Sequence, residues 1–164
     1  MNITGNDFID LLYLCEDNEK IIKMRKELEI ARPTLNEKFK EDGYVSIVSK
    51  DTRTEVFFSD ISNFNQNIEI KKKCTIIFSG IVLYYKTSIL LPFSIEMDDS
   101  LSVIIQKIGK EPDFHNEYLP TKIWKLQRND AKDYLLYADF DEEDYTELVT
   151  IRLKTYDNNI KYLK

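Results

Sequence analysis

The stretch Leu90–Phe114, LLPFSIEMDDSLSVIIQKIGKEPDF, carries a start signal, an apolar stripe and a stop signal in that order. Asp98, Asp99 and Ser100 offer side-chain oxygens to the unpaired N–H groups of a helix start. Their charge also suits the positive end of the helix dipole. Leu101, Ile104, Ile105 and Ile108 recur at helical spacing on one face. Gly109 can adopt the left-handed conformation that ends a helix, and Pro112 blocks continuation. The spacing therefore predicts a short helix that docks a single apolar stripe, with the strands that follow it as the natural partner.

Working back toward the N-terminus, the pattern changes from helical to extended and back to helical. Phe8, Leu11, Leu12 and Cys15 recur at helical spacing over Gly5 to Cys15, with Thr4 or Asn6 as cap. A second helix runs to about Ile30 and stops before Arg32-Pro33, because the residue before proline is pushed out of the helical region. Thr34 to Asp42 is a loop or one loose helical turn. Tyr44–Val48 and Thr54–Phe58 read as a hairpin around the polar turn Lys50–Arg53. Ser59 to Gln66 is a loop, and Asn67 to Lys73 is ambiguous. Two further apolar runs, Cys74–Phe78 and Ile81–Tyr85, flank Gly80, which reads as a turn or bulge.

Downstream of the helix come three strands. Lys122–Gln127 has Trp124 and Leu126 on one side. Asp133–Phe140 sets Leu136, Ala138 and Phe140 against Leu135, Tyr137 and Asp139. Glu147–Thr155 alternates Val149, Ile151 and Leu153 inward with Thr150, Arg152 and Lys154 outward. A helical segment followed by antiparallel strands thus occurs twice, over residues 1–88 and 89–164. The expected class is α+β: two tandem helix–antiparallel-meander modules in one unit, with helices on one face of an antiparallel sheet.

Composition narrows the function. The chain has 164 residues, of which 43% are hydrophobic and 32% charged, which suits a folded core rather than disorder. The net charge is −6, opposite in sign to that of most nucleic-acid binders. The N-terminal MNITGNDFIDLL lacks the basic start and apolar run of a signal peptide, and no apolar stretch approaches membrane-spanning length. The expectation is a cytoplasmic protein without a membrane or nucleic-acid role. Cys15 and Cys74 each sit in an apolar run and read as reduced core thiols, with a disulfide as the open alternative.

No pattern points to catalysis. His115 is the single histidine, without a nucleophile motif nearby, and reads as a surface residue. Four scattered glycines form no phosphate loop. The run Asp141-Glu142-Glu143-Asp144 reads as a solvated turn or an acidic contact patch; the ligand spacing and glycine of a calcium loop are missing. Lys71-Lys72-Lys73 reads as a solvated loop or a protected sheet edge. The reading is a non-enzyme with no cofactor and no metal. Ile123, Lys125, Leu135, Tyr137, Asp139, Thr150 and Arg152 share the outward face of the last strands, where apolar and aromatic groups suggest either a partner site or a face covered by another element, such as the strands of the first module.

Leu91-Pro92-Phe93, Asp98-Asp99-Ser100, the Ile108-Gly109 helix end, Pro112, Trp124, Tyr137 and the Val149-Ile151-Leu153 strand together resemble the helix-then-three-strands module of β-lactamase inhibitor proteins. The same module occurs in small outer-membrane assembly lipoproteins, from which this chain departs in lacking a signal peptide and a lipid-accepting cysteine near the start. The tandem doubling is similar to the inhibitor proteins. The whole layout, with a helical N-terminus and the strand Glu55-Val56-Phe57-Phe58, also resembles small acidic immunity proteins of bacterial polymorphic-toxin systems. The resemblance implies a protein that binds a cognate toxin with a basic surface and blocks it by occlusion. On that reading Asp139, Asp141, Glu142, Glu143 and Asp144 steer the encounter, and Tyr137 and Tyr145 anchor it. A structural adaptor built from the same module is the alternative.

Overall fold

The computed structural model describes residues 3–64, 74–116, 118–142, 145 and 147–156. Its elements are helices α1 (Gly5–Leu11), α2 (Glu19–Glu27), α3 (Glu37–Asp42) and α4 (Leu101–Ile108), and strands β1 (Tyr44–Ser49), β2 (Thr54–Asp60), β3 (Ile76–Tyr84), β4 (Phe114–His115), β5 (Thr121–Gln127), β6 (Asp133–Phe140) and β7 (Leu148–Thr155). The seven strands form a single antiparallel sheet in the order β1-β2-β3-β7-β6-β5-β4. The architecture is α+β. Each half of the chain contributes its own meander, and the last strand of each half, β3 and β7, pair at the centre. The 88/89 boundary therefore lies between two meanders that share one sheet.

Register explains the core. Ile47, Val56, Ile81, Leu153, Leu136 and Trp124 stand opposite one another in turn across six strands. Period-two alternation puts every member of that row on the same face. Side chains from all four helices join the same cluster, including Phe8, Leu11, Ile21, Met24, Phe39 and Ile104. Phe8 stacks on Phe78, and Phe58 meets Phe78 edge to face. Gly80 lies at the seam between the halves, where an added Cβ would sit 2.6 Å from the Leu153 carbonyl oxygen. A side chain there would force β3 and β7 apart.

The Leu90–Phe114 stretch folds largely as its pattern predicts. Ile104 is buried, with Leu101, Ile105 and Ile108 packed against the core. Gly109 takes φ 84 and accordingly ends α4. The cap differs. Ser100 occupies the cap position, yet its side chain makes no capping bond. The Asp99 carboxylate instead accepts from the Glu96 N–H at 2.7 Å and from Lys107 Nζ at 2.6 Å. The Leu101 N–H donates to the distant Tyr145 carbonyl at 3.1 Å. A tertiary contact thus satisfies a group that the local sequence was expected to satisfy.

Four other expectations are corrected. The reduced thiols are in fact a disulfide between Cys15 and Cys74. The first helix stops at Leu11, and residues 13–16 run alongside β3, with Cys15 bridged to Ile77. Tyr13 N–H donates to Phe78 O at 2.9 Å, Phe78 N–H to Leu14 O at 2.8 Å, and Glu16 N–H to Ile76 O at 3.1 Å. This segment takes the edge of β3 that β7 leaves unpaired, which brings Cys15 beside Cys74. Second, the two runs flanking Gly80 are one strand; of the turn and the bulge expected at Gly80, the register shift there, where Phe57 faces Gly80 and Phe58 faces Phe78, fits the bulge. Third, Val149 is exposed rather than inward, because a bulge pairs Asp139 with Thr150 and Phe140 with Leu148. Fourth, of the loop and the loose helical turn expected over residues 34–42, the helical reading holds, but as a six-residue helix, α3, capped by Asn36 rather than a loose turn. Residues 65–73, with the Ile68–Ile70 alternation and Lys71-Lys72-Lys73, lie outside the described residues.

Buried phenols give the fold an alkaline limit. Burial is the main cause that pushes Tyr13 and Tyr134 up from 10.0 to about 12. Tyr13 Oη donates to Asp133 O at 2.6 Å, so its proton is part of the structure. A raised folded-state value means that the unfolded chain releases these protons first. Their contribution is complete below pH 10 and disappears as pH rises toward 12. The expected result is a urea midpoint that falls steadily above pH 10, with the tyrosinate absorbance of these two residues appearing at higher pH in the folded chain than in the unfolded one. A flat midpoint through that window would contradict their burial.

A candidate protein-binding face

The row on the opposite side of the sheet is offset by one residue from the core row. Val48, Glu55, Val82, Arg152, Tyr137, Ile123 and Phe114 stand opposite one another across all seven strands. The next row toward one end of the strands holds Tyr84, Thr150, Asp139 and Thr121. The outward placement of Ile123, Lys125, Leu135, Tyr137, Asp139, Thr150 and Arg152 is therefore correct. Ile123 and Leu135, however, are closed to solvent, at 1% and 0% exposure. With Val82 they lie outside the main core cluster.

Arg152 is the centre of this face. Its guanidinium lies 4.5 Å from the Tyr137 ring centroid, and Nη2 donates to Asp139 Oδ1 at 2.6 Å. Thr121 Oγ1 donates to the same carboxylate at 2.7 Å, and Thr150 Oγ1 bonds its other oxygen. These contacts are between cross-strand neighbours, so sheet register alone assembles them. Arg152 Nε is buried and has no acceptor among the described residues. Burial raises the Tyr137 phenol, Arg152 pulls it back, and Asp139 raises it further. Tyr84 Oη donates to Glu55 at 2.8 Å, and burial followed by Glu55 pushes this phenol up to about 12.

Two depressions flank the guanidinium. One of about 470 Å³ is lined by Tyr44, Phe57, Phe64, Val82, Tyr137 and Arg152, among others. The other, of about 420 Å³, lies over Tyr84, Leu119, Pro120, Asp139 and Thr150, and shares Val82 and Arg152 with the first. The face is thus aromatic and shallow, with Asp139 and Glu55 held by neighbouring side chains. Such a surface suits shape-complementary contact with a macromolecule. Among the described residues no group of three or more His, Cys, Asp or Glu is placed to hold a metal ion.

The structure divides the residues expected to bind a partner. Tyr137 and Asp139 stand together on this face. Asp141 and Glu142 are exposed at the adjoining end of β6, while Glu143 and Asp144 lie outside the described residues. Tyr145 faces the other way. Its ring meets Phe140 edge to face at 5.4 Å between centroids, Lys122 Nζ sits 4.3 Å from it, and its carbonyl receives the α4 N–H. Tyr145 is built into the core side. His115 is exposed on β4, the short edge strand. Sequence reasoning did not connect Tyr44, Phe57 and Tyr84 of the first half with Tyr137 and Arg152 of the second. Their alternation was readable, but the β3–β7 pairing that joins them was not. No family model, no curated protein and no solved structure matches this chain.

Proposed function

We propose that this protein is a non-enzymatic inhibitor of the immunity type, which binds a cognate bacterial effector toxin and blocks it by occlusion. The observation that carries the reading is the Arg152–Tyr137 stack, braced by Asp139 between two shallow depressions. Tyrosine and arginine in well-packed settings dominate binding energy at protein interfaces. Cross-strand bonds hold these side chains in place before any partner arrives, which reduces the ordering cost of association. The net charge of −6, with Asp141 and Glu142 exposed beside the face, favours a basic partner and a fast encounter. Among the described residues no helix is long and apolar enough to cross a membrane. The Cys15–Cys74 bond is of a kind that persists in oxidising compartments. We therefore place the encounter in such a compartment rather than in the cytoplasm.

The test is protection of cells that express the neighbouring gene product, together with affinity measured on the purified pair. Arg152→Ala and Tyr137→Ala are each expected to weaken binding by roughly 30-fold, equivalent to about 2 kcal/mol. Asp141→Lys with Glu142→Lys is expected to slow association and flatten its salt dependence while leaving dissociation nearly unchanged. Full protection by the Arg152→Ala and Tyr137→Ala variants would remove this face from the function. Absence of protection by the native chain would remove the immunity reading itself.

A further inference from the structure

The two edges of the sheet are unlike. β4 is two residues long and offers almost nothing to pair with. β1 is six residues long, Tyr44-Val45-Ser46-Ile47-Val48-Ser49, and its register with β2 is unbroken. It carries no charge, no proline and no bulge, the devices by which natural edges usually avoid pairing. Among the described residues no strand pairs with its outer side.

The direction of its main-chain groups follows from a single bond. Asp60 N–H donates to Gly43 O at 2.8 Å, which makes this pair a hydrogen-bonded one. Antiparallel ladders alternate, so Val45, Ile47 and Ser49 bond to β2, while Tyr44, Ser46 and Val48 direct N–H and C=O outward. These outward residues are symmetric about Ser46. Tyr44 and Val48, two apolar side chains 48% and 60% exposed, lie two positions to either side. Beyond them stand exposed Asp42 at one end and exposed Lys50 at the other.

We infer that β1 is a homodimerisation edge, pairing antiparallel with β1 of a second copy about a two-fold axis through Ser46. That register sets Ser46 opposite Ser46 of the partner copy, and Tyr44 opposite Val48, twice. Every outward N–H and C=O of the three residues gains a partner. The same register brings the Asp42 end of one copy alongside the Lys50 end of the other, also twice. A strand of another protein would need to supply this pattern; a second copy has it by symmetry. The product is one continuous sheet through both copies, with the Arg152 face repeated on it.

Sedimentation velocity over a concentration series tests this on the full chain. The native protein is expected to show a concentration-dependent monomer–dimer equilibrium. Ser46→Pro removes only an outward N–H, a position where an edge strand tolerates proline, and is expected to be monomeric with unchanged circular dichroism. If that variant fails to fold, Val48→Lys serves instead, since it places a charge against Tyr44 of the partner copy at both ends of the new contact. Lys50→Glu and Asp42→Lys are each expected to weaken the dimer by roughly tenfold, because the pair occurs twice, and the double variant to restore it. A native protein that stays monomeric throughout, or a dimer indifferent to Val48→Lys and to both charge reversals, overturns the inference.

Discussion

Removing the Cys15–Cys74 bond, by reduction or by Cys15→Ala with Cys74→Ala, is expected to lower stability by roughly 4 kcal/mol. The two residues are 59 apart in sequence, and closing a loop of that length removes much of the freedom of the unfolded chain. For a domain of this size the loss corresponds to a fall in thermal midpoint on the order of 10 °C. The folded chain should survive, because the backbone bonds of Tyr13, Glu16 and Phe78 to neighbouring carbonyls remain. Those amides should exchange faster once the bond is gone, since the Tyr13–Glu16 segment then opens locally. Calorimetry with and without reductant measures the first effect, and hydrogen exchange the second. Thiols that alkylate fully before reduction, or a midpoint unmoved by reductant, would contradict the bond.

Trp124→Ala is the second large effect, with an expected loss of about 3–5 kcal/mol. Trp124 is fully buried and closes the core row that begins at Ile47. Its Nε1–H also donates to Lys110 O at 3.0 Å, just beyond the glycine that ends α4. It therefore joins the second half's helix to its meander by both packing and a hydrogen bond. Trp124→Phe separates the two contributions. It keeps most of the apolar volume and leaves the Lys110 carbonyl without its donor, which costs about 1–3 kcal/mol. Urea denaturation of both variants gives the comparison. A loss below about 1 kcal/mol for Trp124→Ala would mean that the site collapses freely, contrary to a close-packed core.

The strands of the second half were legible because alternation is local. Leu136, Ala138 and Phe140 against Leu135, Tyr137 and Asp139 reads correctly without knowing any neighbour. Val149 broke the rule because β7 bulges at it against β6, and the pairing of the two strands decides which of Leu148 and Val149 turns inward. The candidate face shows the same limit. Tyr137 and Asp139 were found from their strand, and Arg152 was placed outward, but nothing in β7 shows that Arg152 lies over Tyr137. Tyr145 looked like an anchor from its place beside the acidic run. Its ring is instead packed against Phe140.

By itself the sequence determined the alternation of β6, where α4 ends and that the class is α+β. Each follows from spacing, a left-handed glycine or a blocking proline, all properties of a few adjacent residues. Tertiary structure alone decided that β3 pairs with β7, that Cys15 meets Cys74, and that Arg152 rests on Tyr137 and Asp139. Those contacts join residues far apart in the chain, and they depend on strand register. Register is set by the packing of the whole apolar face rather than by any one strand.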